Sequence, residues 1–460
     1  MKSNRRILAF LNVSFTKTII LSRIRRKGLR EVLVMDYTAR LKYGTDEVEI
    51  EVKGARAVEV LNPDPMPEIE DVAEAFRQCV EEGAIGGVPL KERISAGDRV
   101  TIVVSDITRS WMHQGEIMTF LGHYLHDGMG VAFENIVVLI ALGTHRKSTE
   151  QEKEIIAGSY MYENVQVLDH DCDGDTVYVG TTSRGTDVEV NPLLIGRKVI
   201  VVGGTVHHMM AGFGGGRKNI LPGAASRKTI RQNHEMALDP DIAHTDPRVG
   251  CALLENNPVN EDMNEAAALL DIAYGINIVV ATSGRFSGLF GGDLYESWKE
   301  SCQFQKKCYE KWIPGEADIV IVSSGGAPKD MNLYQGCKGM INGMRAMKEG
   351  GRMIWLAKCP EGCGAPDYTA WLKPLREGRL DSALRADFTI GGFIFYLTVE
   401  NLKKGECRVL TTIDNDTTRP MGMTAYTDVA ELMRGIDFTD KTVYIIPYGG
   451  SVVPMVEGVD

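Results

Sequence analysis

The 460-residue sequence lacks any apolar run approaching the ~20 residues that a membrane-spanning helix requires. Positive charge is in deficit: 51 Lys and Arg stand against 62 Asp and Glu, a net charge of −11 that argues against nucleic acid or an anionic membrane surface as a partner. Any anionic ligand must therefore be caught by a local cluster of cations. Cysteine is sparse and odd in number, nine residues at 79, 172, 251, 302, 308, 337, 359, 363 and 407, without the regular spacing of a disulfide framework. That pattern predicts reduced thiols and a cytoplasmic protein. Cys359 and Cys363 form a C-x3-C pair, but no second pair follows at a zinc-site spacing, so the segment reads as a loop with two free thiols. Histidine is absent after His244; all nine lie between positions 113 and 244, which confines imidazole chemistry to the first part of the chain. No solenoid-period repeat and no low-complexity segment is found.

With 44% hydrophobic and 25% charged residues the composition is that of a globular protein, long enough for two or three domains. Residues 1–34 carry Lys2, Arg5 and Arg6, a short apolar stretch and a basic cluster at 23–27. They lack the long apolar core and small-residue cleavage site of a signal peptide, and are expected to be an extension outside the fold. An alternating strand pattern covers 37–52. From position 98 onward, β-branched runs at 99–105, 136–142, 165–168, 198–202 and 276–281 alternate with helical patterns at 116–127, 150–156 and 260–270. Such alternation predicts a mostly parallel sheet with helices on both faces. A charged helix over 294–312 reads as a bridge, after which the pattern restarts with 318–322, a helix over 339–348, 352–356 and 442–446. The expected organisation is α/β in two domains, 35–295 and a smaller 296–460 closing over it, with the active site in the cleft between them.

In open α/β sheets ligands bind beyond the carboxyl ends of the strands. Those positions hold Ser105-Asp106-Ile107-Thr108-Arg109, Gly143-Thr144-His145-Arg146, Asp169-His170-Asp171 and Gly203-Gly204-Thr205-Val206-His207-His208. Asp106 is equally able to cap a helix, Thr144 to hold a turn and Arg146 to be a solvated charge. His123 and His126 lie in a helical pattern and read as structural or exposed. His145, His208 and His234 each follow a strand end or adjoin a glycine-rich loop.

The densest feature runs from His208 to Lys218, HMMAGFGGGRK, followed by Pro222-Gly223 and Asn233-His234. Gly214, Gly215 and Gly216 permit close backbone approach to a ligand, and the turn could hold a phosphate. It is no P-loop, because Arg217 precedes Lys218 and Asn219 follows, and Arg217 also occupies the last glycine position of G-x-G-x-x-G. Arg217 disfavours a charge on Lys218, which makes a free amine and a covalent tether reasonable. A neutral imidazole at His234 suits nickel, zinc or copper, but a single histidine would leave most ligands to a cofactor.

The ordered set Ser105 to Arg109, Gly143 to Arg146, His208 to Lys218, Pro222-Gly223, Asn233-His234 and Gln335-Gly-Cys-Lys338 resembles the nickel-dependent lactate racemase family, which includes racemases and epimerases of 2-hydroxy acids. The resemblance spans about Asp98 to Lys338. It implies a two-domain isomerase carrying a nickel-pincer nucleotide, a pyridinium mononucleotide that binds nickel through two sulfurs and a ring carbon. Lys218 matches the residue of the covalent link and His234 the protein's nickel ligand. His145 and His208 match the alternating acid/base pair, and Arg109, Gln335 and Lys338 the substrate contacts. Asp106 and Gly214 to Gly216 are expected to touch the cofactor. The implied partners are a small 2-hydroxy acid and, transiently, cofactor-synthesis enzymes. The sequence departs from the family after Arg109, where Ser110-Trp111-Met112-His113 replaces a proline-bearing segment. Trp111 either reshapes the pocket wall or packs at a helix start, and the substrate stays open among aliphatic, aromatic, dicarboxylic and sugar acids. Two competing functions are an α/β oxidoreductase using soluble nicotinamide, disfavoured by the failed dinucleotide fingerprint, and a non-catalytic nickel or cofactor carrier, which would need no pair of bases.

Overall fold

A computed structural model describes residues 20–23, 33–364 and 366–458. Two six-stranded sheets organise the molecule. The first has the spatial order Phe286–Gly292, Ile272–Val280, Lys198–Gly204, Val100–Ser105, Ile136–Ala141, Gln166–Asp169. All its pairings are parallel except that of the edge strand Phe286–Gly292, which runs antiparallel. Val100–Ser105 and Ile136–Ala141 are buried along their whole length, which is why their sequences are continuous β-branched runs without alternation. The strand order reverses between Val100–Ser105 and Lys198–Gly204, the kind of switch point where open α/β sheets leave a crevice.

The second sheet is entirely parallel, in the order Met423–Tyr426, Glu406–Leu410, Met347–Leu356, Ala317–Ser323, Thr442–Ile446, Ala57–Val60. The expected α/β architecture with two parallel-dominated sheets is therefore present. A continuous apolar cluster reaches from Val103, Val201 and Met263 of the first body to Val320, Met340 and Trp355 of the second. No described helix is long and apolar enough to cross a membrane.

The boundaries differ from the expectation of 35–295 and 296–460. The segment 37–52 is not one strand but a hairpin, Leu33–Tyr43 with Asp46–Ala55, turning at Gly44 with φ +59°. Its apolar side, Ala39, Leu41, Ile50 and Val52, packs on Ile319, Ile321, Ile354 and Ile445, and Ala57–Val60 extends the second sheet. A parallel sheet must be covered on both faces, and this hairpin covers one of them, so the start of the chain belongs to the second body. Helix Leu294–Tyr309 meanwhile packs on Ile272–Val280 and Phe286–Gly292 of the first sheet. The return of the chain to the second body thus falls at Glu310. Of the segment 1–34, expected to lie outside the fold, most is outside the described residues, but Ile20–Arg23 pairs antiparallel with the hairpin.

Candidate active site

Three of the four expected strand ends converge; the third does not. His170 is buried with Nε2 on the Ala225 carbonyl and Nδ1 on Asn191, while Asp169 accepts the Ser148 N–H, so this turn is structural. The first two turns meet directly. Val100–Ser105 and Ile136–Ala141 run in register, Ser105 opposite Ala141, which brings Asp106 beside the loop carrying His145. Asp106 Oδ2 accepts from His145 Nδ1 at 2.6 Å, and Asp106 Oδ1 accepts from Thr108 Oγ1 at 2.6 Å. Thr108 Oγ1 in turn accepts from Arg109 at 3.0 Å. Burial would raise the Asp106 pKa, but the His145 bond and charge, the Thr108 bond and the Arg109 charge together hold it below the usual carboxylate value. Asp106 thus holds the His145 ring by its Nδ1. Nδ1 donates to the carboxylate, so in the neutral ring it is Nε2 that carries the lone pair, and the ring is half exposed to solvent.

His208 lies on a two-residue ribbon, His207–His208 paired with Gly212–Phe213, reached from the end of Lys198–Gly204. Its Nδ1 accepts the backbone N–H groups of Met210 and Ala211, both at 3.2 Å, so the proton of the neutral ring sits on Nε2. Burial first, then the charges of Lys218, Arg109, Lys338 and His234, push its pKa well below the usual histidine value. The two imidazoles therefore rest in opposite tautomers, one ready to accept a proton at Nε2 and the other ready to donate.

Lys218 sits in the short 3₁₀ turn Gly216–Asn219. Burial, Arg217 and Arg109 drive its pKa well below the ordinary lysine value, which favours the free amine. Arg217 itself is buried, lies 3.8 Å over the Trp298 ring, and donates to the carbonyls of Phe213 and Ala211 and to Asn260 Oδ1. The glycines beside it serve packing more than ligand approach. A Cβ on Gly216 would meet Trp298 at 2.8 Å, and one on Gly215 would meet Thr205 Oγ1 at 3.0 Å. The N–H groups of Gly214 and Gly216 donate to Val206 O and Asn277 Oδ1.

His234, on helix Arg227–Glu235, is buried and donates from Nδ1 to the Ile230 carbonyl at 3.0 Å. Burial and the charge of Lys218 press its pKa down to about 3, so Nε2 keeps a bare lone pair at any ordinary pH. That is the state a metal ligand needs, with its tautomer fixed by a backbone carbonyl. Among the described residues no group of three or more His, Cys, Asp or Glu side chains could hold a metal by itself, so further ligands would have to arrive with a cofactor.

From the second body, Gln335 and Lys338 stand on helix Leu333–Met344, where Lys338 Nζ donates to Gln335 Oε1 at 2.5 Å. Burial and Arg109 lower the Lys338 pKa to about 8. Arg109, His208, Lys218 and Lys338 lie deep between the bodies yet each keeps partial solvent access, as the walls of a cleft do. Sequence reasoning missed Thr108, which bridges Arg109 to Asp106, and Tyr334, whose phenol feels the Arg109 charge from the turn beside Gln335. A hydroxyl flanking each motif was the available signal. Trp111 packs partly buried against the first-sheet core, its ring over Gly204.

Residues 43–246 match the lactate racemase N-terminal domain model and residues 313–453 the lactate racemase C-terminal domain model. The chain is 30% identical over 384 residues to a lactate racemase of Thermoanaerobacterium thermosaccharolyticum, covering 81% of this chain and 88% of that protein. The chain belongs to the lactate racemase family. A lactate racemase of Lactiplantibacillus plantarum is 31% identical over 291 residues, 62% of this chain and 66% of that protein. Among solved structures, the lactate racemase apoprotein of Thermoanaerobacterium thermosaccharolyticum superposes with a TM-score of 0.78 at 26% identity, covering 91% of this chain and 100% of that one. A Thermotoga maritima protein shares the fold alone, with a TM-score of 0.58 at 17% identity over 82% of this chain and 97% of that one. Within the lactate racemase family this chain is an isomerase of the racemase type, and its convergent residues are those of the cleft just described.

Proposed function

We propose that the protein interconverts the enantiomers of a 2-hydroxy acid, lactate or a close analogue, by moving hydride at C2 and a proton at the hydroxyl. The observation that carries this reading is the pair of imidazoles in opposite tautomers, His145 backed by Asp106 and His208 backed by two backbone N–H groups, in a field of cations suited to a carboxylate. Removing the C2 hydrogen as a proton would leave a carbanion beside a carboxylate, whereas removing it as hydride leaves a stable 2-keto acid. A bound nickel-pincer nucleotide would supply a reversible hydride acceptor. His234 Nε2, bare and fixed in tautomer, would hold the metal, and the neutral Lys218 amine would carry the covalent link.

The chain's own groups would do the rest. Arg109 presents a planar fork that grips the substrate carboxylate bidentately, and Lys338 with Gln335 closes on it from the second body. His145 Nε2 takes the hydroxyl proton, and the imidazolium that forms lies against the Asp106 carboxylate. His208 Nε2–H keeps its proton and donates a hydrogen bond to the oxygen of the 2-keto intermediate, steadying the alkoxide as hydride returns, and the proton that re-forms the hydroxyl is the one taken by His145. An oxyanion or carboxylate needs no net positive protein for this, only the local cations of the cleft.

The strand order of the first sheet would also suit a dinucleotide, but the turn after its first strand holds Asp106-Ile107-Thr108-Arg109 where such a site needs glycines. The test is replacement of each imidazole in cofactor-loaded protein. His145→Ala and His208→Ala are each expected to lower kcat for inversion by about 10²-fold or more, the range of a lost acid/base group, with nickel content unchanged. Near-normal inversion in either variant removes that residue from the reaction.

A further inference from the structure

We infer that His207 is a positioning residue for His208, tied by Glu310 to the point where the chain crosses from one body to the other. Consecutive residues of a strand face opposite sides, so the two histidines cannot share a task. His208 looks into the cleft. His207 turns into the protein, its ring tilted against Phe213 at 4.5 Å between centroids, and its Nε2 meets Glu310 Oε1 at 3.3 Å. The two side chains are only 5% and 7% exposed, so this bond is made away from water, where a lost partner is most costly. Buried Nδ1 has no partner among the described residues, which leaves Glu310 as the one polar anchor of the ring.

Glu310 is placed where it can transmit movement. Helix Leu294–Tyr309 packs on the first sheet, and the next residue begins the strand Glu310–Ile313, which pairs in parallel with Val453–Val456 of the second body. The ribbon that carries His208 is two residues on each side, so its orientation draws on the contacts around it, His207–Glu310 among them. A shift of the second body over the cleft therefore acts on Glu310, through it on His207, and through the shared backbone on the direction of His208 Nε2. Burial favours neutral His207, which donates Nε2–H to the Glu310 carboxylate; Lys306 and Arg345 are the other charges that bear on the ring.

Removing one partner alone would strand a buried polar group, so the informative variant replaces both at similar volume, His207→Phe with Glu310→Met. The inference rests on the racemase reading for its kinetic consequence but not for its structural one. In apoprotein labelled with ¹⁵N-histidine, the wild type should show His208 locked with Nδ1 bare and Nε2 protonated, and the folded double variant should show the two nitrogens averaging. In cofactor-loaded protein, kcat should fall about tenfold or more through the misdirected group while KM stays within about twofold. Glu310→Gln keeps an acceptor of the same shape and should stay within about threefold of wild type in kcat. An unchanged His208 spectrum together with unchanged kcat in the folded double variant overturns the inference, as does a tenfold loss in Glu310→Gln. Should the double variant fail to fold, the Glu310→Gln comparison still decides. If wild-type protein inverts no 2-hydroxy acid, the racemase reading fails while the apoprotein spectra still test the His207–Glu310 link.

Discussion

Asp106 and His145 come from neighbouring strand ends and make a single functional unit through one 2.6 Å bond. Asp106→Asn would offer an amide in place of the acceptor and permit the wrong tautomer of His145, so kcat is expected to drop by about 10²-fold or more, with the fold retained and KM little changed. Steady-state kinetics on loaded protein check this; a loss in KM alone would assign Asp106 to binding instead. Lys338 carries a prediction in pH. Its pKa is about 8 in the folded protein, below the ~10.4 of an unfolded lysine, so between these values the unfolded chain holds more protons and stability rises with pH. Thermal melts of apoprotein should therefore show Lys338→Met more stable than wild type at pH 7 and the gap narrowing towards pH 10. A gap independent of pH would mean that the lysine is not strained by its surroundings. Asp106, Arg109, His145 and His208 were legible in the sequence because each follows a strand end, whereas Gln335 and Lys338, on a helix of the second body, were picked out only by the resemblance. The bond from Asp106 to His145 was not legible, because only the register of two adjacent strands brings the carboxylate beside that ring.

At the scale of elements, the segment from His208 to Lys218 is held by packing that its glycines make possible. Gly216 combines φ +51° with a Trp298 ring where a Cβ would go. Gly216→Ala should cost about 2–5 kcal/mol by summing the left-handed backbone penalty and overpacking, seen as a lower urea midpoint. Loss of covalent cofactor loading at Lys218, read by intact mass, should accompany it. Spacing cannot say which side of a glycine run is filled, and at Gly216 that side is taken by Trp298. The parallel strands were legible as unbroken β-branched runs, while the hairpin Leu33–Tyr43 and Asp46–Ala55 was assigned to the wrong body. Its alternation correctly marks one buried face, but alternation carries no information on which sheet buries it.

For the whole molecule, the cleft brings Arg109 of one body near Lys338 of the other, and the Arg109 charge lowers the proton affinity of both Lys338 and Lys218. Repulsion between Arg109 and Lys338 opposes closure until an anion lies between them. Small-angle scattering of the apoprotein should accordingly show a smaller radius of gyration when a 2-hydroxy acid is added, an effect that weakens as added salt shortens the screening length. An unchanged radius at saturating acid would argue that the bodies do not move. The account as a whole rests on inversion at C2 by hydride, with the two imidazoles handling only the hydroxyl proton. Its most direct test is to incubate cofactor-loaded protein with one enantiomer of lactate and of related 2-hydroxy acids in D₂O, then resolve the product by chiral chromatography with mass detection. The account predicts a racemic product that keeps its original hydrogen at C2. Inverted product carrying solvent deuterium at C2, or no inversion of any acid by protein shown to carry nickel and the Lys218 adduct, would contradict it.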